Sequence, residues 1–156
     1  MNLLEHAALA YITAPPWRFV HPQFNLPYRE RRGGSCPDFV ALDFKIPTIF
    51  VVEVTGGYDV DTLLERVAQR ETLWYQPLRD TLSETASLIA QWDRRLALFV
   101  RGDRYDFVRQ KLGNENNDVS VIAIEAIMRS WAWNWETKAY PLNPLDQHVP
   151  PSQVVA

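Results

Sequence analysis

The sequence predicts an α/β fold with a mixed central β-sheet flanked by helices, and three observations predict it. Two β-rich runs, Phe39 to Phe44 and Thr48 to Thr55, are separated only by Lys45-Ile46-Pro47, the spacing of a hairpin. A long helical pattern follows, then two short apolar runs joined by a second helical pattern, the order of crossover connections in a sheet with parallel members. Hydrophobic residues make up 47% of the 156 and charged residues 22%, which fits one packed domain and excludes a wholly disordered chain.

Taken in order, Asn2 to Ile12 reads as a short helix with Leu3, Leu4, Ala7, Ala8 and Tyr11 on one face, stopped by Pro15 and Pro16. Residues 17–36 read as an irregular or strand-like stretch closing on a turn or loop at Arg31-Arg32-Gly33-Gly34-Ser35. Thr48 to Thr55 is almost continuously apolar, as a strand buried on both faces should be, and Gly56-Gly57 ends it. A long helical pattern starts near Asp59 with Leu63, Leu64, Val67, Trp74 and Leu78 as its apolar face. Pro77 should kink or divide it, with a second piece from about Leu78 to Trp92. Arg95 to Val100 is a short buried strand, Tyr105 to Leu112 a helix closed by Gly113, and Val119 to Ala126 another apolar strand.

The resulting order is α-β-β-β-α-β-α-β within a single domain spanning 1–156, its core about 1–126. Residues 127–156 form a Trp/Pro-rich C-terminal extension. Trp131, Trp133 and Trp135 there are expected to cover a core edge or a dimer surface, with a base-stacking platform as the alternative.

No apolar run reaches the roughly 20 residues of a membrane-spanning helix. The first segment carries Glu5 and His6 and lacks the basic start of a signal peptide. Cys36 is the only cysteine, so it makes no internal disulfide and no cysteine-rich zinc site, and the expected compartment is the cytoplasm. Net charge is −3, yet 13 of the 16 basic residues are arginine, whose two-pronged donor face suits phosphates and carboxylates. Arg29, Arg31 and Arg32 lie close in sequence, as do Arg94, Arg95, Arg101, Arg104, Arg109 and Lys111. Patches of this kind can hold a phosphate backbone, and solvated arginines on edges and helix faces are the plainer reading.

The chemistry concentrates on Pro37-Asp38-Phe39 and Val51-Val52-Glu53-Val54-Thr55. A carboxylate inside an apolar strand needs a partner, a cation or an open sheet end. Alternation puts Glu53 and Thr55 on one face. If Phe44 pairs with Thr48, Asp38 falls beside Val54, one residue either way, next to Glu53. Two carboxylates converging at a strand end make a hard-oxygen site suited to Mg²⁺, with Mn²⁺ able to substitute. The alternative is structural: Asp38 caps a turn and Glu53 pairs with an arginine.

With Gly33-Gly34-Ser35-Cys36-Pro37-Asp38-Phe39, the strand Phe50 to Thr55 and the α-β-β-β-α-β order, the chain resembles the PD-(D/E)XK nuclease superfamily over roughly residues 1–125. The resemblance implies a restriction endonuclease-like core, Asp38 and Glu53 as metal ligands, and Mg²⁺-dependent cleavage of DNA. It further implies an acid from the first helix, where Glu5 is the only one available.

The sequence departs from the family pattern two residues past Glu53, where Thr55 replaces the usual lysine. A threonine hydroxyl can hydrogen-bond a water but carries no charge. Lys45 lies about seven residues, roughly 23 Å, from the carboxylate end and cannot replace that charge. Lys111 and Lys138 have no place fixed by sequence. The helix after Glu53 offers Arg66 and Arg70 at i and i+4, with Gln69 adjacent, to lean over the site or to form a solvated face with Glu65 and Glu71.

His6, His21 and His148 show no catalytic spacing, and neither Gly33-Gly34 nor Gly56-Gly57 is a phosphate loop. The expected function is therefore a DNA phosphodiesterase, as a homodimer or in a larger assembly. The alternatives are a catalytically weakened subunit of the same fold that binds nucleic acid or protein, and an unrelated interaction protein.

Overall fold

The structure, a computed structural model, describes residues 1–128. Most of the Trp/Pro-rich extension, with Trp131, Trp133 and Trp135, lies outside the described residues. Helix α1 spans Leu3–Thr13. Asn2 caps it, accepting from the Leu4 and Glu5 backbone N–H groups while Glu5 accepts from the Asn2 N–H, a reciprocal capping box. The stretch expected to be irregular contains strand β1 (Arg18–Pro22) and a small hairpin of β2 (Leu26–Pro27) and β3 (Gly34–Ser35). Strands β4 (Phe39–Asp43) and β5 (Thr48–Thr55) follow.

Helix α2 covers Asp61–Ala68, a π-helical segment Glu71–Tyr75, and helix α3 Gln76–Thr85. Strand β6 (Asp93–Val100), helix α4 (Gly102–Leu112) and strand β7 (Val119–Ala123) complete the core. The chain turns helical over 124–128, so β7 is shorter than its apolar run. The long helix also divides earlier than expected. Pro77 sits in the first turn of α3, where no intrahelical N–H is needed, so it starts a helix without kinking one. The break falls at Gln69, whose carbonyl accepts from Thr72 and Leu73.

Among the described residues the main sheet is mixed, in the order β1-β4-β5-β6-β7. β1, β4 and β5 pair antiparallel, while β6 and β7 continue parallel to β5 through the helical crossovers. One face packs Phe39, Ala41, Phe50, Val52 and Phe99 against Ala8, Tyr11 and Ile12 of α1. The other packs Val40, Ile49, Val51, Leu98 and Val100 against Leu63, Val67, Leu78 and Val108 of α2 to α4, with Trp74 of the π-helical segment wholly buried.

The hairpin between β4 and β5 is pinned by Asp43. One oxygen accepts from the Lys45 and Ile46 backbone N–H groups, and the other takes the buried Arg18 guanidinium at 2.6 Å. Asp43 is therefore the residue opposite Thr48, and the turn occupies residues 44–47. No helix of the described residues is long and apolar enough to cross a membrane.

Candidate active site

That hairpin register builds the site. The ladder runs from Asp43 opposite Thr48 to Phe39 opposite Val52. One further step puts Asp38 opposite Glu53, one residue from the pairing expected with Phe44 at the turn. Alternation along β5 aims Glu53 and Thr55 to the same face as Ile49 and Val51, while Asp38 lies at a bend just before β4. Asp38 accepts the backbone N–H of Val54, the residue after Glu53, so the two acids are neighbours at one end of the hairpin.

Asp38, half-buried, accepts the Val54 N–H at 2.7 Å and closes the hairpin end. Glu53 is buried, and both its oxygens receive Arg66 of α2, at 2.8 and 3.1 Å. The Arg66 guanidinium also stands over the Trp74 ring, 5.0 Å from its centre. The π-helical segment that buries Trp74 thereby helps aim the arginine at Glu53.

Burial pushes the Glu53 carboxyl up to about 8; Arg66 pulls it down, and the neighbouring charge of Asp38 raises it further. The Asp38 carboxyl is likewise raised by burial, opposed by the Val54 N–H, raised again by Glu5 and lowered by Arg66. Glu5, Asp38 and Glu53 therefore make one chain of mutually felt negative charge. Arg66 is the cation acting on both Asp38 and Glu53.

The remaining candidates separate. Glu5 is near enough to act on Asp38 electrostatically, but its carboxylate is engaged with Asn2 in the helix cap. Among the described residues no three Asp, Glu, His or Cys side chains converge on a metal position, so Glu5 is not brought in as a third ligand. Thr55 accepts the Gly57 N–H at 3.3 Å and is half-buried beside Glu53's face. Gln69 is exposed, and its backbone caps α2.

Arg70 does not join the site expected for it. Its guanidinium forks onto Asp118 at 2.7 and 2.9 Å, where Tyr75 donates a third hydrogen bond. Asp118 lies just before β7, whose first residue pairs with Leu96, whereas Glu53 pairs with Leu98 nearer the other end of β6. The end of α2 at Ala68 removes the i, i+4 relation that would have kept Arg66 and Arg70 together.

The basic clusters are likewise redistributed. Arg29 pairs with Asp80 and Glu84 of α3, and Arg31 stacks on Tyr28. Arg94 and Arg101 are separated by the length of β6, about 23 Å, so the second cluster is not one patch. Arg104 remains at the same end of β6 as Thr55, whose β6 partner is Val100, and stacks on Tyr58 from the loop after β5.

A hard cation such as Mg²⁺ is commonly held by one or two carboxylates, its other positions filled by water and substrate phosphate. Asp38 and Glu53 supply that donor type, with Asp38 Oδ1 accepting no hydrogen bond among the described residues, but Arg66 would have to release a Glu53 oxygen for both to bind one cation. The residue that sequence reasoning ranked too low is Arg66, and its signal was present: an arginine one helical segment beyond a buried strand acid. No known family model, curated protein or solved structure matches this chain.

Proposed function

We propose that this chain is a metal-dependent DNA phosphodiesterase with a restriction endonuclease-like core. The observation that supports this most is the placing of two acids side by side at one end of the β4–β5 hairpin, where Asp38 accepts the N–H of the residue after Glu53. Bound there, Mg²⁺ or Mn²⁺ would polarise a phosphoryl oxygen and acidify a water. Asp38 and Glu53 would hold the cation. Arg66 would supply the positive charge that Thr55 lacks, since it is partly exposed and its guanidinium has donors suited to a phosphate oxygen. Thr55 can orient water but cannot act as a base near neutral pH. With both acids holding the cation, a separate protein base is not required.

A second reading, a nucleic-acid-binding subunit without hydrolysis, is favoured by one observation: Arg66 takes both Glu53 oxygens. Cleavage assays on duplex, branched and single-stranded DNA with Mg²⁺ or Mn²⁺ divide the two. Hydrolysis by the wild type, abolished in a folded Glu53→Gln variant, supports the enzyme. If neither the wild type nor a folded Thr55→Lys variant cuts any of these substrates, the binding reading replaces it.

A further inference from the structure

Arg104 presents an unused pair of donors. Its Nε and Nη2 groups form one edge of the guanidinium, are buried, and have no hydrogen-bond partner. Buried donors on a charged group are costly to leave unpaired. Two acids around the start of α4 are engaged elsewhere. Asp103 is forked by Arg101 at 3.0 and 2.9 Å, and Glu125 accepts the Gly102 N–H at 2.6 Å.

What Arg104 does touch is the Tyr58 ring, which takes the face of the guanidinium and leaves the in-plane donors of its edge unpaired. Tyr58 is 69% exposed and follows Gly56-Gly57. Its loop is held by hydrogen bonds from the Gly57 N–H to Thr55 and from the Asp61 N–H to Asp59, and a ligand reaches the buried arginine edge only by displacing the atoms that cover it.

We propose that Arg104, oriented by Tyr58, is a phosphate-binding site. Two non-bridging phosphate oxygens match the Nε/Nη2 edge as a bidentate acceptor. The outer area of Tyr58 offers an aromatic surface to a base, which favours the phosphate of a nucleotide unit over a carboxylate. The site lies where α4 leaves β6, at the sheet end that carries Thr55, and it uses no residue of the acid pair.

The test is binding of two probes in EDTA, so that its outcome does not depend on hydrolysis or on a metal. Inorganic phosphate is titrated by calorimetry and a fluorescent single-stranded oligonucleotide by anisotropy. Arg104→Lys keeps the charge and loses the fork, and should weaken at least one probe about tenfold, the loss of one charged hydrogen bond. Sensitivity of the oligonucleotide assigns a backbone phosphate, with Tyr58→Ala weakening that probe more than inorganic phosphate. Sensitivity of inorganic phosphate alone assigns a free phosphate or phosphomonoester.

Wild-type affinity for both probes in folded Arg104→Lys, or binding of neither probe by the wild type, overturns the site. If the variant does not fold, phenylglyoxal modification of wild-type Arg104, followed by mass spectrometry, replaces it. Protection by either probe supports the proposal, and lack of protection by both overturns it. Loss of DNA cleavage in Glu53→Gln, measured separately, reports on the acid pair alone.

Discussion

Replacing Arg66 with Gln leaves the buried Glu53 without its guanidinium. The pair is part-exposed on the arginine side, so the expected loss is about 1–3 kcal/mol, below that of a fully buried pair. Urea unfolding checks the value, and a double-mutant cycle with Glu53→Gln should show coupling, because the two side chains share both hydrogen bonds. Asp118 gives a separate pH signature. Burial works to raise its carboxyl, but the hydrogen bonds from Arg70 and Tyr75 and the charge of Arg70 outweigh that and hold it below the usual carboxylate range. A depressed carboxylate stabilises the fold above its unfolded pKa and loses that contribution as pH falls through the folded value. Melting temperature followed downward from about pH 5 should therefore fall more steeply for the wild type than for Asp118→Asn. A residue-level pattern could nominate Arg66 and Arg70 together. It could not tell which carboxylate each would find, since Asp118 is 48 residues from Arg70 in sequence.

The elements that position the site are held by the hairpin and by helix ends. Asp43→Asn leaves the buried Arg18 charge facing a neutral amide and weakens the anchor of the turn. Breaking a buried pair of this kind costs about 3–5 kcal/mol, readable as a lowered urea midpoint. Gly113 ends α4 at φ +62°, and a Cβ there would meet nothing within 4 Å. Gly113→Ala should then cost only the backbone penalty of a glycine-only conformation, about 1–3 kcal/mol by the same measurement. The β4–β5 hairpin was legible because its two runs are apolar and its connection is short. Its register was legible only to within one residue. The turn bonds from the Lys45 and Ile46 N–H groups to Asp43 place Asp43 opposite Thr48, and the buried Arg18, 25 residues away, holds that carboxylate in place. The early end of the long helix escaped the pattern because Pro77 is the obvious breaker, whereas the break follows from Gln69 and from burial of Trp74.

For the whole molecule, the reading as a DNA-acting protein predicts affinity that falls with salt, since each neutralised phosphate releases counterions. Mobility-shift titrations at two salt concentrations check this, and loss of one phosphate-contacting arginine should lower the log–log slope by about 0.7 to 0.9. Many of the arginines counted along the chain are already compensated locally, so the slope should be smaller than their number implies. The sequence by itself determined the mixed α/β class and the central strand, and it marked Glu53 as a charge inside that strand with Asp38 near the same end of the hairpin. Apolar periodicity, proline and glycine positions, and a charge inside an apolar strand are local signals that survive in one dimension. Only the tertiary structure decided that Arg66 faces Glu53, that Arg70 is drawn to Asp118, and that the second basic cluster is split by a strand. Those outcomes depend on which distant carboxylates burial brings within hydrogen-bond reach, and that is set by the packing of helices on a twisted sheet.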